Sequence, residues 1–268
     1  MPASFLDDLA GFSDGAGGAT CAVEVWLTKL EQALRSAPLA ELRAQIADLN
    51  VVLAAAAWQG GLIGTQDAAR DAAWDLFHRR LDLCGELGIP TMVVVPDFHA
   101  PFDVDDLPEA IEALRQAGAA AAQRGVRIAL EFQARSPFPN NVESAALLAA
   151  AVSHPHVGLC LDLFHYTAGP SKAEDLRVLS AANLFHVQVC DVADRPRELM
   201  ADADRILPQE GDFQFDAVLS RLREIGYKGY VSLELLNPAL WQSPPRQLAE
   251  IGWTSLRMLL GMAERAHA

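Results

Sequence analysis

The sequence predicts an α/β fold, a (β/α)8 TIM barrel formed as a single domain over residues 1–268. Three observations lead to this prediction. Strand-like and helix-like segments alternate along the chain without a low-complexity linker, which is typical of a parallel sheet with crossover helices. The strand-like segments are short apolar runs, as expected for strands that are covered on both faces. A chain of 268 residues can also bury one large hydrophobic core.

Seven segments have strand character, whereas eight strands would close a barrel. Each segment is rich in apolar residues and is bounded by Gly, Pro or polar clusters. In order they are residues 21–26, 51–58, 91–95, 127–132, the beginning of the stretch 157–166, 185–191 and 230–236. No clear strand precedes Cys21, so we expect the first strand of the barrel to be missing or degenerate. Either residues 1–5 supply a poor substitute, or the barrel is open at that seam.

Helical segments alternate with these runs. Pro38 suits the first turn of a helix whose leucine and isoleucine side chains share one face. Gly88 and Gly125 suit the ends of two longer helices, because glycine readily adopts the left-handed conformation that ends a helix. The predicted helices cover residues 4–12, 38–50, a long segment ending near 86, 107–124, 142–152, 171–180, 215–225 and 247–264.

The composition limits the classes of partner. The net charge of −14 argues against nucleic acid, because phosphate binding needs a basic face. The N-terminal segment lacks the features of a secretory signal, and no apolar stretch is long enough to cross a bilayer. Two of the four cysteines lie inside strand runs, which indicates small buried residues in a reducing compartment. We therefore expect a cytoplasmic protein without a membrane partner, with a homo-oligomer as a possibility.

Polar residues recur near the ends of four successive strand-like runs. They are Glu131, Asp162, Gln188 and Glu234. A carboxylate in an apolar strand is costly unless something pairs with it. One such residue would be interpreted as a buried, hydrogen-bonded cap, but four in neighbouring strands indicate a site. In a barrel these groups meet at the carboxyl ends of the strands, where active sites lie.

Side-chain alternation supports a shared direction for these groups. When Glu131, Asp162 and Glu234 point inward, the residue two positions earlier also points inward, and it is small in each strand. Three converging carboxylates repel one another unless a cation neutralises them. Oxygen ligands without a thiolate favour Mg²⁺, Mn²⁺ or Co²⁺, and Zn²⁺ is possible. The alternative is a buried network of protonated acids.

Several motifs resemble those of the xylose isomerase-like TIM-barrel superfamily, the sugar phosphate isomerases and epimerases. They are LEFQ, LCLDLFH, FHVQVCD, RILPQEG and VSLELLNP, and the resemblance covers about residues 21–262. It implies that Glu131, Asp162, Gln188 and Glu234 are the four ligands of one divalent metal ion. It also implies that Glu131 and Glu234 form the acid–base pair.

The resemblance assigns two further residues to the substrate. His165, in the D-x-x-H motif, would contact the substrate, and Arg205 would bind a substrate oxygen or carboxylate. The chain departs from the family pattern at two of its motifs. Many ketose epimerases have His in place of Gln188, whereas Gln is familiar in the hydroxypyruvate isomerase and 3-dehydroshikimate dehydratase branches. Gln209 replaces a common Gly of the P-G-E-G loop.

The leading hypothesis is a divalent-metal-dependent isomerase or epimerase of a small sugar or keto-sugar, with proton transfer through a metal-bound enediolate. The alternative is a carbon–oxygen lyase similar to 3-dehydroshikimate dehydratase, which acts on a hydroxy-keto acid with His165 as a candidate base. A relationship to the endonuclease IV-like DNA repair branch is disfavoured by the 7 histidines and the charge of −14. A binding module without catalytic activity is a further alternative. No Gly-rich phosphate cradle is visible, which favours an unphosphorylated substrate.

Four other residues have weaker functional interpretations. Trp58 can form a wall of the substrate pocket, or simply pack against its neighbours. Asn237 can support the site through a hydrogen bond to one of its residues. Glu24 either faces the lumen or pairs with an arginine. His99 either reaches the substrate or is an exposed loop residue.

Overall fold

The computed structural model describes residues 3–64 and 66–261. Seven strands form one sheet in chain order, and the second to the sixth strands pair with one another in parallel. The strands are β1 Cys21–Trp26, β2 Val51–Gln59, β3 Thr91–Val94, β4 Arg127–Glu131, β5 Val157–Asp162, β6 Leu184–Val189 and β7 Val231–Leu233. The predicted α/β class and the seven predicted strand positions are confirmed.

Nine α-helices lie between and around these strands in the described part of the chain. They are α1 Phe5–Gly15, α2 Leu27–Ala33, α3 Leu39–Ala47, α4 Asp67–Leu87, α5 Leu107–Ala122, α6 Val142–Val152, α7 Leu163–Ala168, α8 Asp216–Glu224 and α9 Pro245–Leu259. The prediction for α6 has the observed bounds. Helix α2 was not predicted, and the helix predicted over 171–180 is a 3-10 helix, Ala173–Val178. Residues 262–264 of the last predicted helix lie outside the described residues.

A helix occupies the place where a degenerate first strand was considered. Ser4 accepts a hydrogen bond from the Asp7 amide at 3.2 Å, and the Asp7 carboxylate accepts from the Ser4 amide at 3.3 Å. This reciprocal capping box starts α1 at Phe5 and satisfies main-chain groups that a strand would need for pairing. The prediction that residues 1–5 could supply a substitute strand is therefore wrong for residues 3–5, the part of this segment that the structure describes.

The chain divides into two compact units. Unit 1 comprises Met1–Leu53, Val189–Gln214 and Ser232–Ala268, and unit 2 comprises Ala54–Gln188 and Phe215–Val231. The prediction of a single domain over residues 1–268 stays a prediction. Among the described residues, no helix has both the length and the apolar character that crossing a bilayer requires.

Unit 1 is built on the packing of α1 against α9. A Cβ atom at Gly11 would lie 2.6 Å from Pro245 Cβ, and one at Gly15 would lie 2.6 Å from Ala249 Cβ. The two glycines therefore permit an approach that larger residues would prevent. Within the same unit, the Ser232 hydroxyl donates a hydrogen bond to Glu24, so a side-chain contact links β7 to β1. Glu24 thus has a hydroxyl partner, which the sequence did not suggest.

Unit 2 contains the most deeply buried strands. All residues of β3 and β5 are buried, as predicted for strands covered on both faces. None of the four cysteines, all of which the structure describes, forms a disulfide, and Cys84, Cys160 and Cys190 are buried. Burial raises the pKa of Cys84 to about 12, so this thiol stays protonated and behaves as a small apolar side chain.

Candidate active site

Three of the predicted ligands lie on adjacent strands of unit 2. Glu131 is the last residue of β4, Asp162 is the last residue of β5, and Gln188 lies near the end of β6. The strand register pairs Asp162 with Gln188, and Glu131 with Cys160. Glu131 is 3% exposed, while Asp162 and Gln188 are fully buried. These polar groups are thus gathered at the carboxyl ends of neighbouring strands, as the sequence predicted.

Asp162 brings His165 into the same place. Its Oδ1 atom accepts a hydrogen bond from the Phe164 amide at 2.8 Å and caps the short helix α7. Because residues three apart share one face of a helix, His165 turns back toward this carboxylate. His165 Nε2 lies 3.7 Å from Asp162 Oδ2 and 3.2 Å from Glu131 Oε1. The D-x-x-H spacing therefore places the imidazole beside two carboxylates.

Two further contacts hold the polar groups of unit 2. Gln133 Nε2 donates to Glu131 Oε1 at 2.7 Å, and the Cys160 thiol donates to Gln188 Oε1 at 3.1 Å. Neither contact was predicted, although both residues stand inside the motifs LEFQ and LCLDLFH. Gln133 lies two residues after Glu131, and Cys160 lies two residues before Asp162. Residues two apart in an extended chain point to the same side, so this spacing could have indicated both as neighbours of the site.

The arrangement fits a divalent cation. Glu131, Asp162 and His165 each offer one ligand atom, and these atoms lie within 4.8 Å of one another. Carboxylate oxygen suits Mg²⁺ and Mn²⁺, and imidazole nitrogen suits Zn²⁺ and other transition metals. This cluster overlaps the predicted ligand set in two residues and adds His165, which was predicted as a substrate contact.

Three further predicted site residues, Arg205, Glu234 and Asn237, lie in unit 1. Arg205 Nη1 donates to Glu234 Oε2 at 2.8 Å, and both side chains are buried. Asn237 Nδ2 donates to the Arg205 carbonyl oxygen at 3.0 Å, so this side chain supports the segment that carries the arginine. Asp202 Oδ1 also contacts Arg205, at 2.9 Å from Nη2. Unit 1 thus brings together Arg205, the Glu234 carboxylate and the Asn237 amide, which the sequence predicted in three separate roles.

The loop that carries Arg205 is organised by Asp191, for which the sequence predicted no role in the site. Its two carboxylate oxygens accept hydrogen bonds from the main-chain amides of Val192, Gln209 and Phe213, each at 2.9 Å. Its own main chain pairs with Ile206 as an antiparallel bridge. The signal was a carboxylate at the last position of the predicted strand 185–191, inside the motif FHVQVCD.

Gln209 adopts a conformation that favours glycine. Its φ angle is +71°, in the left-handed region. This is the position at which the family pattern commonly has Gly, so the loop keeps that backbone shape with a less suitable residue. Nearby, a Cβ atom at Gly211 would clash with the Asp191 carboxylate, which explains glycine at that position.

Trp58 lies at a cleft of unit 2 and is 55% exposed. The cleft has a volume of about 410 Å³, and helix α4 and the segment after β3 form its other walls. Buried Arg80 lines it and donates to Gln59 Oε1 at 3.0 Å. The lining includes none of Glu131, Asp162 and Gln188. A substrate contact for Trp58 therefore stays a prediction.

The chain is similar to characterised proteins. The model of the xylose isomerase-like TIM barrel family matches residues 18–257. Inosose isomerase of Bacillus subtilis is 32% identical over 169 residues, which is 62% of this chain and 61% of that protein. The match thus spans less than two thirds of the relative. The 3-dehydroshikimate dehydratase of Pseudomonas putida is 28% identical over 187 residues, 69% of this chain and 29% of that protein.

A solved structure shares the fold. The IOLI protein, described with a bound zinc atom at 1.8 Å, superimposes with a TM-score of 0.87 at 24% identity. The superposition covers 97% of this chain and 94% of that one. The family model covers most of the chain, including all seven strands. The chain therefore belongs to the xylose isomerase-like TIM barrel family, which confirms the fold predicted from its sequence.

Proposed function

We propose that this protein is a divalent-metal-dependent isomerase or epimerase that acts on a small polyhydroxylated ketone. One observation carries the proposal: the buried cluster of Glu131, Asp162 and His165 at the carboxyl ends of β4 and β5. Buried ionisable groups clustered at this end of the strands are costly for stability and typical of active sites. The similarity to inosose isomerases supports this class of reaction.

We propose one divalent cation as the cofactor, with Glu131, Asp162, Gln188 and Glu234 as ligands by the family resemblance. Mn²⁺, Mg²⁺, Co²⁺ and Zn²⁺ are candidates, and the zinc atom described for the IOLI protein supports zinc among them. When bound, such a cation supplies a Lewis acid that polarises a carbonyl and lowers the barrier to removal of the neighbouring proton.

The protein's own groups supply proton transfer. We assign the acid–base roles to Glu131 and Glu234, because each is a buried carboxylate held by a hydrogen-bond donor. Gln133 fixes the first carboxylate and Arg205 fixes the second. General acid–base catalysis typically contributes about 10²–10⁴-fold. A proton returned to the neighbouring carbon gives an isomerase, and one returned to the opposite face gives an epimerase.

The other site residues bind and orient the substrate. Arg205 and His165 present hydrogen-bond donors that suit hydroxyl, carbonyl or carboxylate oxygens. Asn237 positions Arg205 through its carbonyl oxygen. For the substrate we propose a cyclic polyhydroxy ketone such as an inosose, since inosose isomerases are similar to this chain over 62% of its length. A cytoplasmic location and a homo-oligomeric state stay predictions from the sequence.

A dehydratase is the second candidate. Its support is the match to 3-dehydroshikimate dehydratase over 187 residues, together with glutamine at position 188. Such a reaction uses the same proton removal but expels a β-hydroxyl instead of returning the proton. It needs a group that protonates the leaving oxygen, a role open to His165.

Substrate and metal assays test the proposal. The purified protein is incubated with Mn²⁺, Co²⁺, Mg²⁺ or Zn²⁺ and then with an inosose, a set of ketoses, or 3-dehydroshikimate. We expect proton exchange at the carbon next to the carbonyl, detected by NMR in deuterated water, and product formation that chelators abolish. Glu131→Gln should lower the rate by about 10²-fold or more.

Each outcome is decisive for one candidate. An aromatic acid product from 3-dehydroshikimate, seen by ultraviolet absorbance, would favour the dehydratase over the isomerase. No metal bound by elemental analysis after incubation with excess Mn²⁺ or Zn²⁺, and no proton exchange with any ketone, would refute the proposed function. Arg35→Gln, a surface change in the loop after α2, serves as the control and should retain full activity.

A further inference from the structure

Every nitrogen of the Arg205 guanidinium donates to a carboxylate within unit 1. Nη1 donates to Glu234 Oε2 at 2.8 Å. Nε and Nη2 both donate to Asp202 Oδ1, at 3.1 Å and 2.9 Å. Hydrogen bonds between a guanidinium and a carboxylate are stronger than those between neutral groups. The predicted substrate-binding arginine is therefore already held on two sides by acidic residues of its own chain.

Local structure holds Asp202 against Arg205. The short 3-10 helix Asp202–Asp204 ends directly before the arginine, and the Arg205 amide donates to the Asp202 carbonyl oxygen at 3.2 Å. Side chains three residues apart lie above one another in such a helix. The Ala201 amide donates to Asp204 Oδ2 at 3.0 Å, which fixes the start of the turn. The pairing thus follows from the D-x-x-R spacing and needs no ligand to form it.

The two side chains differ sharply in exposure. The Arg205 side chain is 1% exposed, whereas that of Asp202 is 55% exposed. Asp202 therefore lies on the solvent side of a buried guanidinium. An ion pair with one partner so exposed contributes little to stability. Its larger effect is on ligands, because a negatively charged group that approaches Arg205 from this side meets a like charge.

The contact of Asp202 also uses the atoms that a ligand carboxylate would need. Arginine binds a carboxylate best through two parallel N–H···O bonds, and the edge formed by Nε and Nη2 provides such a pair. Asp202 occupies that edge. The other such edge consists of Nη1 and Nη2, and both of these atoms already donate to carboxylates. A hydroxyl or carbonyl oxygen needs a single N–H and brings no charge, so it competes with Asp202 far less.

We propose that Asp202 is a specificity-determining residue, which occupies the carboxylate-binding edge of Arg205 and thereby selects an uncharged polyhydroxy ketone over a hydroxy-keto acid. The inference rests on the proposed function and names the substrate class of that same site. A site selects one ligand over another by repelling the second as well as by attracting the first. The pairing of Asp202 with Arg205 favours the isomerase or epimerase over the dehydratase.

Substrate preference in the metal-loaded whole chain tests the inference. The value of kcat/KM is measured for an inosose, which is neutral, and for 3-dehydroshikimate, which carries a carboxylate. We expect the wild type to prefer the inosose. In Asp202→Asn the ratio of kcat/KM for 3-dehydroshikimate to that for the inosose should rise at least about tenfold, because a like charge near the ligand is removed. Asp202→Glu keeps the charge and should keep the preference of the wild type.

Asp204→Asn is the matched control. It removes the same charge from the same 3-10 helix, but Asp204 pairs with Arg195, at 3.4 Å from Nε. Its ratio should stay within about twofold of the wild type, since surface charges away from the ligand are screened. An unchanged ratio in Asp202→Asn, or an equal rise in Asp204→Asn, would overturn the inference. If Asp202→Asn does not fold, as judged by circular dichroism, Asp202→Ala replaces it.

A binding experiment separates this inference from the proposed function. Shikimate and its carboxamide have the same ring but differ in charge, and calorimetry measures the affinity of each without turnover. The wild type should bind the carboxamide more tightly, and Asp202→Asn should reduce or reverse that difference. This result in a protein that turns over no ketone would contradict the proposed function and support the role of Asp202. Tighter binding of shikimate by the wild type, or no binding of either compound by any variant, would overturn the inference.

Discussion

Removing the Asp191 carboxylate should disorganise the loop that carries Arg205. The carboxylate is completely buried, and it accepts three main-chain N–H groups, those of Val192, Gln209 and Phe213. These donors come from residues up to 22 positions away from Asp191 in the chain. The helical structure of this loop, whose residues are all described, is limited to two short 3-10 helices, Arg197–Leu199 and Asp202–Asp204, so this single side chain is what ties its two ends together.

The expected magnitude follows from what happens to each amide after substitution. In Asp191→Ala all three lose their partner, but Gln209 is exposed and water can replace the carboxylate there. Val192 and Phe213 are buried, and each unsatisfied amide costs about 1–3 kcal/mol. We therefore expect a loss of about 2–6 kcal/mol in the free energy of unfolding.

Asp191→Asn removes the negative charge and one acceptor oxygen but keeps nearly the same side-chain volume. The remaining oxygen can keep the two donors from Val192 and Phe213, while the new NH2 group faces the exposed Gln209 amide. Only one hydrogen bond is lost, at a site that water reaches. We expect a loss of about 1–2 kcal/mol, or a decrease of roughly 2–8 °C in Tm for a chain of this size.

Urea unfolding followed by circular dichroism measures both variants beside the wild type. Asp212→Asn is the matched control, because this exposed carboxylate of the same loop accepts one amide hydrogen bond, from Asp194 at 2.8 Å. It should change the free energy of unfolding by less than about 1 kcal/mol. If Asp191→Ala is no more destabilised than Asp212→Asn, the buried carboxylate does not organise the loop, and the reasoning is refuted.

Three further predictions concern stability and use the same unfolding assay. Gln209→Gly should raise the free energy of unfolding by up to about 1 kcal/mol, because glycine adopts the left-handed φ of +71° without strain. A lower free energy of unfolding in this variant would show that Gln209 is not strained. Gly15→Val should lower it by about 1–3 kcal/mol through a clash with α9, and a neutral result would show that α1 packs differently. Burial lowers the pKa of His154, and the charges of His156 and Arg115 lower it further. The unfolded state then binds more protons below about pH 6.5, so stability should fall as the pH drops through that value. His154→Gln should weaken this dependence between about pH 7.5 and about pH 5, and an unchanged slope would exclude His154 as its source.

Much of the fold could be predicted because its signals are local. Buried parallel strands appear as short apolar runs, and helix α6 ends where its apolar period stops, so both were found at nearly their observed positions. Glu131 and Asp162 were recognised because a carboxylate in an apolar run is costly without a role. Because such residues lie near the carboxyl ends of barrel strands, their positions also indicated where β4 and β5 end.

Other parts of the structure had no local signal. Helix α2 follows β1 without an intervening turn residue, since Trp26 is both the last residue of the strand and the N-cap position of the helix, with no side-chain capping hydrogen bond. The approach of α1 to α9 depends on Gly11 and Gly15 meeting residues more than 200 positions away. Such contacts are chosen by the whole fold, and the spacing of apolar residues within one segment carries no information about them.

The sequence by itself determined which residue types stand at the strand ends, and thereby the class of chemistry. Only the tertiary structure decided which atoms they use. It set Ala134 against Nδ1 of His165, Gln133 against Oε1 of Glu131, and Asp191 against three amides of its loop. The physical reason is that a hydrogen bond depends on the direction and separation of two atoms. Segments far apart in the chain acquire that relation only when the fold brings them together.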